Sequence, residues 1–290
     1  MATSVSGSSS PSLGRCIYCG STQTLTREHI IPRAFGGTWV MQGASCVPCA
    51  DITKRFEMLV ARRMLGPHRL RFGYKSSKKS EIPKTLKVNK FSSTGGSQAD
   101  VPLDEMPIFP IIVPVFDLPS IITGFIGSSR IGTWTWNPDN NSPLQKKRLD
   151  AIFDAKTHSV GFNIHVETPS FMRMLAKIAH SGAMAIHGNM IREPLLPDFI
   201  LGHKNDLCFV VGSILGGTYS GTDPHSGMHF RLGIYVIGNR RYLVAQIEMF
   251  AYIQPADFKG DKLPPFIVVI CEADDVLEQA ELGPAGRVGR

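Results

Sequence analysis

The chain has 290 residues, 31 Lys and Arg against 24 Asp and Glu, and a formal net charge of +7. That length supports one large or two ordinary domains with a sizeable core. No apolar run approaches the roughly 20 residues needed to span a bilayer, which excludes a helical membrane protein.

The N-terminal segment 1–13 is rich in Ser and has no apolar core segment. It reads as a disordered leader rather than a secretory signal, so a reducing, cytoplasmic setting is expected for the six cysteines. Residues 14–66 form a cysteine-containing module. Cys16-Ile17-Tyr18-Cys19 and Cys46-Val47-Pro48-Cys49 are two C-x-x-C knuckles with 26 residues between Cys19 and Cys46. Two such pairs suit one structural Zn2+, each knuckle supplying two soft thiolates from a tight turn. Between them, Thr22 to Thr26 and Glu28 to Ile31 are expected as the strands of a hairpin, and Gly36-Gly37 permits a sharp return. Pro48 opens a helix, because its missing N–H would have no helical partner there. Ile52, Phe56, Leu59 and Val60 recur at helical spacing, and Gly66 is expected to stop the helix.

Residues 67–100 are basic and poor in large apolar side chains, which reads as a linker or arm. Residues 1–100 hold 15 Lys and Arg against 5 Asp and Glu, and the remaining residues 16 against 19. The positive field therefore lies on the cysteine module and the arm, as a polyphosphate partner requires. The candidate backbone contacts are Arg33, Lys54, Arg55, Arg62 and Arg63, with further cations at Arg69, Arg71, Lys75, Lys78 and Lys79.

Residues 101–277 carry most of the apolar mass. Ile108 to Phe116 reads as a strand pushed toward a sheet edge by Pro110 and Pro114. Ile121 to Ile126 reads as a second strand, and Val160 to Val166 alternates apolar and polar residues. Thr168-Pro169 opens a helix that runs to about His187. Leu207 to Val211 and Pro265 to Cys271 are expected as buried strands, with Cys208 and Cys271 as small apolar side chains. Leu232 to Ile237 and Tyr242 to Phe250 flank Gly238-Asn239, a two-residue hairpin signal. Residues 278–290 read as a flexible tail, and the chain has no internal repeat. The expected fold class is α+β: a zinc-bound ββα-metal module followed by a larger, mainly antiparallel α+β domain. His180 and His187 read as structural. A second metal at His225 and His229 is disfavoured by ligand count.

The residues Cys16-Ile-Tyr-Cys19-Gly20, Leu25-Thr-Arg-Glu28-His29-Ile-Ile-Pro32, Gly36-Gly37 and Cys46-Val-Pro-Cys49 together resemble the HNH endonuclease family, in its subgroup with two zinc knuckles around a ββα-metal motif. The resemblance covers about 50 residues. It implies a metal-dependent nuclease that hydrolyses phosphodiester bonds of DNA, or of RNA. His29 matches the general base and Glu28 a ligand of the catalytic Mg2+ or Mn2+. The family usually has Asn about five residues before the second knuckle, where this chain has Met41 and then Gln42. It usually has His or Asn directly after the last knuckle cysteine, where this chain has Ala50. Asp51 is the nearest substitute ligand, although one helical residue is a rotation of ~100°. The alternative is a catalytically degenerate, zinc-dependent nucleic-acid-binding protein.

Overall fold

The computed structural model describes residues 9–71, 82–125, 131–154, 156–161, 165–214, 228–249, 258–259 and 263–273. The expectations for the tail 278–290, for Lys75, Lys78 and Lys79, and for His225 lie outside the described residues.

The fold is α+β and nearly all of its strand pairs are antiparallel. The N-terminal sheet has β2 (Leu25–His29) antiparallel to β3 (Val40–Cys46), and β1 (Ser9–Ser10) parallel to β3 on its other edge. The strands of this ββα unit are thus β2 and β3, not two short strands within 22–31. Beyond β2, Pro32 precedes a 3-10 turn at Arg33–Phe35 that leads into Gly36 at φ 83°. A Cβ on Gly37 would meet the Ile31 carbonyl oxygen at 2.0 Å, so only glycine lets the chain double back here. The segment expected as a leader contributes β1. Trp39 Nε1 donates to Ser10 Oγ at 3.0 Å and Ser12 Oγ to the Gly43 carbonyl at 3.2 Å, which tie this stretch to β3.

Helix α1 (Val47–Leu59) starts at the second knuckle with Pro48 in its first turn. It passes through a π-helical turn at Val60–Met64. Gly66 opens the short helix α2 (Gly66–Arg71) instead of ending the helical region.

Within 67–100, expected as linker, β4 (Thr85–Ser92) and β5 (Gly95–Pro102) form a hairpin, with β8 (Ser159–Gly161) on the far side of β4. Val88 and Val101 bury one face of it against Met106, Phe109 and Ile152. Charge and Ser/Gly content concealed a strand pair with a single covered face. Helix α4 (Pro143–Ile152) supplies Ile152, and its N-cap Ser142 accepts from Gln145 N.

β6 (Ile111–Phe116), β7 (Ile131–Pro138) and β12 (Phe258–Lys259) form a third sheet, ordered β12-β7-β6. The proline-bearing β6 lies at its edge, as Pro114 requires. Residues Ser120–Thr123 are a helix, α3, rather than the expected strand. Pro119 precedes its first turn, and Gly124 at φ 67° closes it by donating to the Ser120 carbonyl.

The largest sheet has the order β10-β11-β13-β9, from β10 (Met228–Ile237), β11 (Arg240–Met249), β13 (Phe266–Glu272) and β9 (Val211–Ser213). Residues 207–209, expected as strand, are a 3-10 turn leading to β9. On β13, Phe266, Val268 and Ile270 join the main core while Ile267 and Val269 pack with Ile122 on the opposite face. Both faces are covered, which is why this strand reads as an unbroken apolar run.

Helix α5 (Thr168–His187) packs between this sheet, α1 and α6 (Leu196–Leu201). Its residues from Met174 to Met184 are all buried. Phe171, Met174, Leu175 and Ile178 share one contiguous core with Ile30, Phe56 and Met64 of the cysteine module and with Phe266 of β13. The module and the larger region therefore do not have separate cores. Each apolar side chain buried at this junction contributes about 1.5–3 kcal/mol.

Candidate metal centre and nuclease site

The four knuckle cysteines are brought together by local turns and by the strand pair. Cys16 N donates to the Ser21 carbonyl at 2.7 Å and Gly20 N to the Cys16 carbonyl at 2.9 Å, and Gly20 takes φ 76° to allow the return. Ile17 N donates to the Ala44 carbonyl at 2.8 Å, locking the first knuckle onto β3. Cys46 is the last residue of β3 and caps α1, so Cys49 projects from the first helical turn.

The sulfurs of Cys16, Cys19, Cys46 and Cys49 all lie within 4.8 Å of one another, and Cys19 Sγ is 3.5 Å from Cys46 Sγ. A regular tetrahedron with metal–sulfur distances of ~2.3 Å spaces its sulfurs by about 3.8 Å, which the cluster fits. None of the six cysteines forms a disulfide. Burial pushes the Cys46 and Cys49 thiols up. Burial also opposes the Cys19 thiolate, but the Ser21 backbone and the neighbouring thiols outweigh it and bring that group down. Four sulfurs gathered this closely are a donor set completed by a soft cation. The cluster can hold a metal ion such as zinc.

Glu28 and His29 occupy successive positions near the end of β2, opposite Met41 and Val40. The register shifts between Thr26 and Glu28. Glu28 is buried and His29 is half-exposed, as alternation along a one-sided strand requires. Glu28 Oε1 lies 2.7 Å from Lys177 Nζ of α5, with side-chain exposures of 7% and 1%. The same ammonium is 2.9 Å from Glu57 Oε1 of α1 and also donates to the main-chain carbonyl of His29. Glu57 Oε1 is itself buried, though 23% of its side chain is exposed. Burial works against the Lys177 cation, but the two carboxylates outweigh it and hold its pKa above the usual lysine value. Burial raises Glu57, against the pull of Lys177.

His29 is pulled below the ordinary imidazole value, first by burial and then by the positive charges of Lys177, Arg27 and Arg33. It is therefore neutral at pH 7. Met41, at the place where Asn is usual, is buried in the core. Ala50 has no side-chain donor, and Asp51 is exposed on α1. Among the described residues, the four thiols are the only group of three or more His, Cys, Asp or Glu ligand atoms within 4.8 Å of one another. Glu28, His29 and Asp51 do not form such a group. Of the basic candidates, Arg33, Lys54, Arg55, Arg62 and Arg63 are all exposed, and Arg63 pairs with Glu167 at 3.2 Å.

Lys177 and His180 of α5 complete this junction from outside the module, against Glu57 and Tyr18 within it, and the sequence reading does not pair them. His180 Nε2 donates to the Ile17 carbonyl at 2.7 Å, and its ring lies 5.5 Å from that of Tyr18. The available signal was a lysine bracketed by Met174, Leu175 and Ile178 on an apolar helix, a place where a charge needs a partner.

Residues 16–62 match the family model described as HNH endonuclease. No curated protein and no solved structure matches the chain. No helix among the described residues is long and apolar enough to cross a membrane. The segment from Cys16 to Arg62, with its ββα order and four-thiol centre, is a module of the HNH endonuclease family.

Proposed function

We propose that the protein is a cytoplasmic nuclease that hydrolyses phosphodiester bonds in DNA through its HNH module. Zinc in the four-thiolate site holds the strand pair and helix together, and His29 is the general base. The observation that carries this reading is the neutral, half-exposed imidazole of His29, fixed on a strand clamped at one end by the knuckles. A neutral imidazole accepts the proton of an attacking water as the new P–O bond forms. The charges of Arg27 and Arg33 that depress His29 are suited to stabilise negative charge on the phosphate. Lys54, Arg55, Arg62 and Arg63 would grip the nucleic-acid backbone without reading bases.

The Mg2+ or Mn2+ implied by the resemblance does not fit the residues expected to hold it. Glu28 is committed to Lys177, Ala50 offers no side-chain donor, and among the described residues Asp51 belongs to no group of three or more such ligands.

The test is cleavage of supercoiled plasmid, single-stranded DNA and RNA by wild type and His29→Ala, with Mg2+, with Mn2+ and with EDTA. The substitution is expected to lower the rate about 10²–10⁴-fold. Failure of the wild type to cleave any of these substrates under any condition would remove the nuclease reading. A second reading, a zinc-dependent module that binds nucleic acid without cutting it, would then stand. It is favoured by the departure at Ala50 and by the pairing of Glu28 with Lys177.

A further inference from the structure

Lys177 Nζ sits among four oxygens contributed by the HNH module. They are Glu28 Oε1 at 2.7 Å, Glu57 Oε1 at 2.9 Å, the carbonyl of His29, and the carbonyl of Ile30 at 3.4 Å. Two carboxylates and two main-chain carbonyls are a hard-oxygen set of the kind that takes a divalent cation. The lysine is fully buried, and its stem comes from the middle of α5, outside the matched segment. An ammonium is a compact point charge with three donors, able to stand where a small cation would. Solvent and substrate do not reach it, so its role is to position and neutralise Glu28 and Glu57.

We propose that Lys177 is a tethered internal cation that takes the place of a divalent ion against Glu28 and Glu57, so that the module binds no Mg2+ or Mn2+ there. This rests on the HNH assignment of residues 16–62 but not on whether the module cleaves. The carbonyl contacts matter as much as the ion pairs. They tie the ammonium to the successive carbonyls of His29 and Ile30 and so help fix the strand that presents His29. Loss of the usual ligand at Ala50 is then accounted for, because the centre has its positive charge without a second metal ligand.

The experiment is a Mn2+ titration of the full-length, zinc-loaded protein, followed by electron paramagnetic resonance of free Mn2+. Wild type is expected to take up no stoichiometric Mn2+ up to about 1 mM, in the range of weak divalent sites. Lys177→Ala empties the cage and is expected to gain one Mn2+ per chain, lost again in Glu28→Gln/Lys177→Ala. A wild-type site that takes one Mn2+ and disappears in Glu28→Gln overturns the proposal. So does a folded, zinc-retaining Lys177→Ala that gains no Mn2+, since Lys177 would then be a structural pair alone. Where Lys177→Ala is too unstable to titrate, thermal melts decide. Mn2+ is expected to raise Tm for that variant and not for wild type or the double variant, and no rise overturns the proposal. A wild type that cuts no nucleic acid leaves this inference intact. Mn2+-dependent cutting that Glu28→Gln abolishes sinks it while sparing the nuclease reading.

Discussion

Lys177 of α5 and Glu28 of β2 meet at 2.7 Å with both side chains buried, so one ion pair joins the HNH module to the helix at the centre of the larger region. Because Glu57 shares the same ammonium, removing the lysine leaves two carboxylates facing each other inside the protein. Lys177→Met should cost about 3–5 kcal/mol, the range for breaking a buried pair from one side. Adding Glu28→Gln and Glu57→Gln should recover part of that loss, because an amide needs no counter-charge. Urea unfolding of the single and triple variants measures both. Equal stability of Lys177→Met and wild type would mean that the pair contributes nothing net.

The shared core changes what metal loss should do. Ile30 and Phe56 pack in the same cluster as Phe171 and Phe266, so the module cannot melt without exposing α5. Purified protein should carry one zinc per chain. Cys16→Ser, or removal of zinc by a strong chelator, should lower the Tm of the whole chain in one cooperative transition. Calorimetry showing an early melt of the module and an unchanged second transition would mean that the module has a core of its own.

The parts legible in the sequence are those whose signals are local. Thr168-Pro169 marks the start of α5 and the apolar repeat its extent to about His187, and Gly238-Asn239 forms the two-residue turn of the β10–β11 hairpin. The knuckles carry their own turn chemistry. The misread parts are those where a neighbour decides. Ile121 and Ile122 have strand propensity, but the preceding Pro119 and the left-handed Gly124 close a single helical turn around them. Leu25 to His29 pairs with a strand beyond the Gly36-Gly37 return, and nothing inside 22–31 reveals that partner. Asp51 follows the same logic. It adjoins the usual ligand position in sequence but is exposed on α1, whereas Glu28 is satisfied by a lysine from another helix.

Electrostatic engagement of nucleic acid should be strongly salt-dependent. Lys54 and Arg55 are exposed neighbours on α1, and each phosphate neutralised adds about −0.9 to the slope of log affinity against log salt. Lys54→Ala/Arg55→Ala should therefore flatten the slope by about 2 and weaken binding across sequences alike. Lys147→Ala, at an exposed lysine on α4 outside the matched segment, should leave the slope unchanged. Fluorescence anisotropy with a duplex oligonucleotide between 50 and 300 mM salt reads both. An unchanged slope in the Lys54/Arg55 variant would place the footprint elsewhere.

His180 should make the junction acid-sensitive. It is fully buried, its Nε2–H donates to the Ile17 carbonyl, and burial pushes its pKa down to about 4, only partly opposed by that hydrogen bond. Tyr18 faces it from the first knuckle, and among the described residues no carboxylate is hydrogen-bonded to its ring. In the unfolded chain the imidazole titrates near 6.5, so between pH 6.5 and 4 the unfolded state binds one proton more than the folded state. Stability is complete above pH 6.5, falls as pH is lowered through that window, and levels off below about 4. The loss assignable to this one group is about 3 kcal/mol. His180→Gln can keep a donor toward Ile17 without titrating. It should lack this component when its stability is followed from pH 7 to 4 beside wild type, the groups common to both cancelling in the difference. Parallel pH curves for the two proteins would show that His180 is already protonated in the native state, with its buried Nδ1 holding an acceptor.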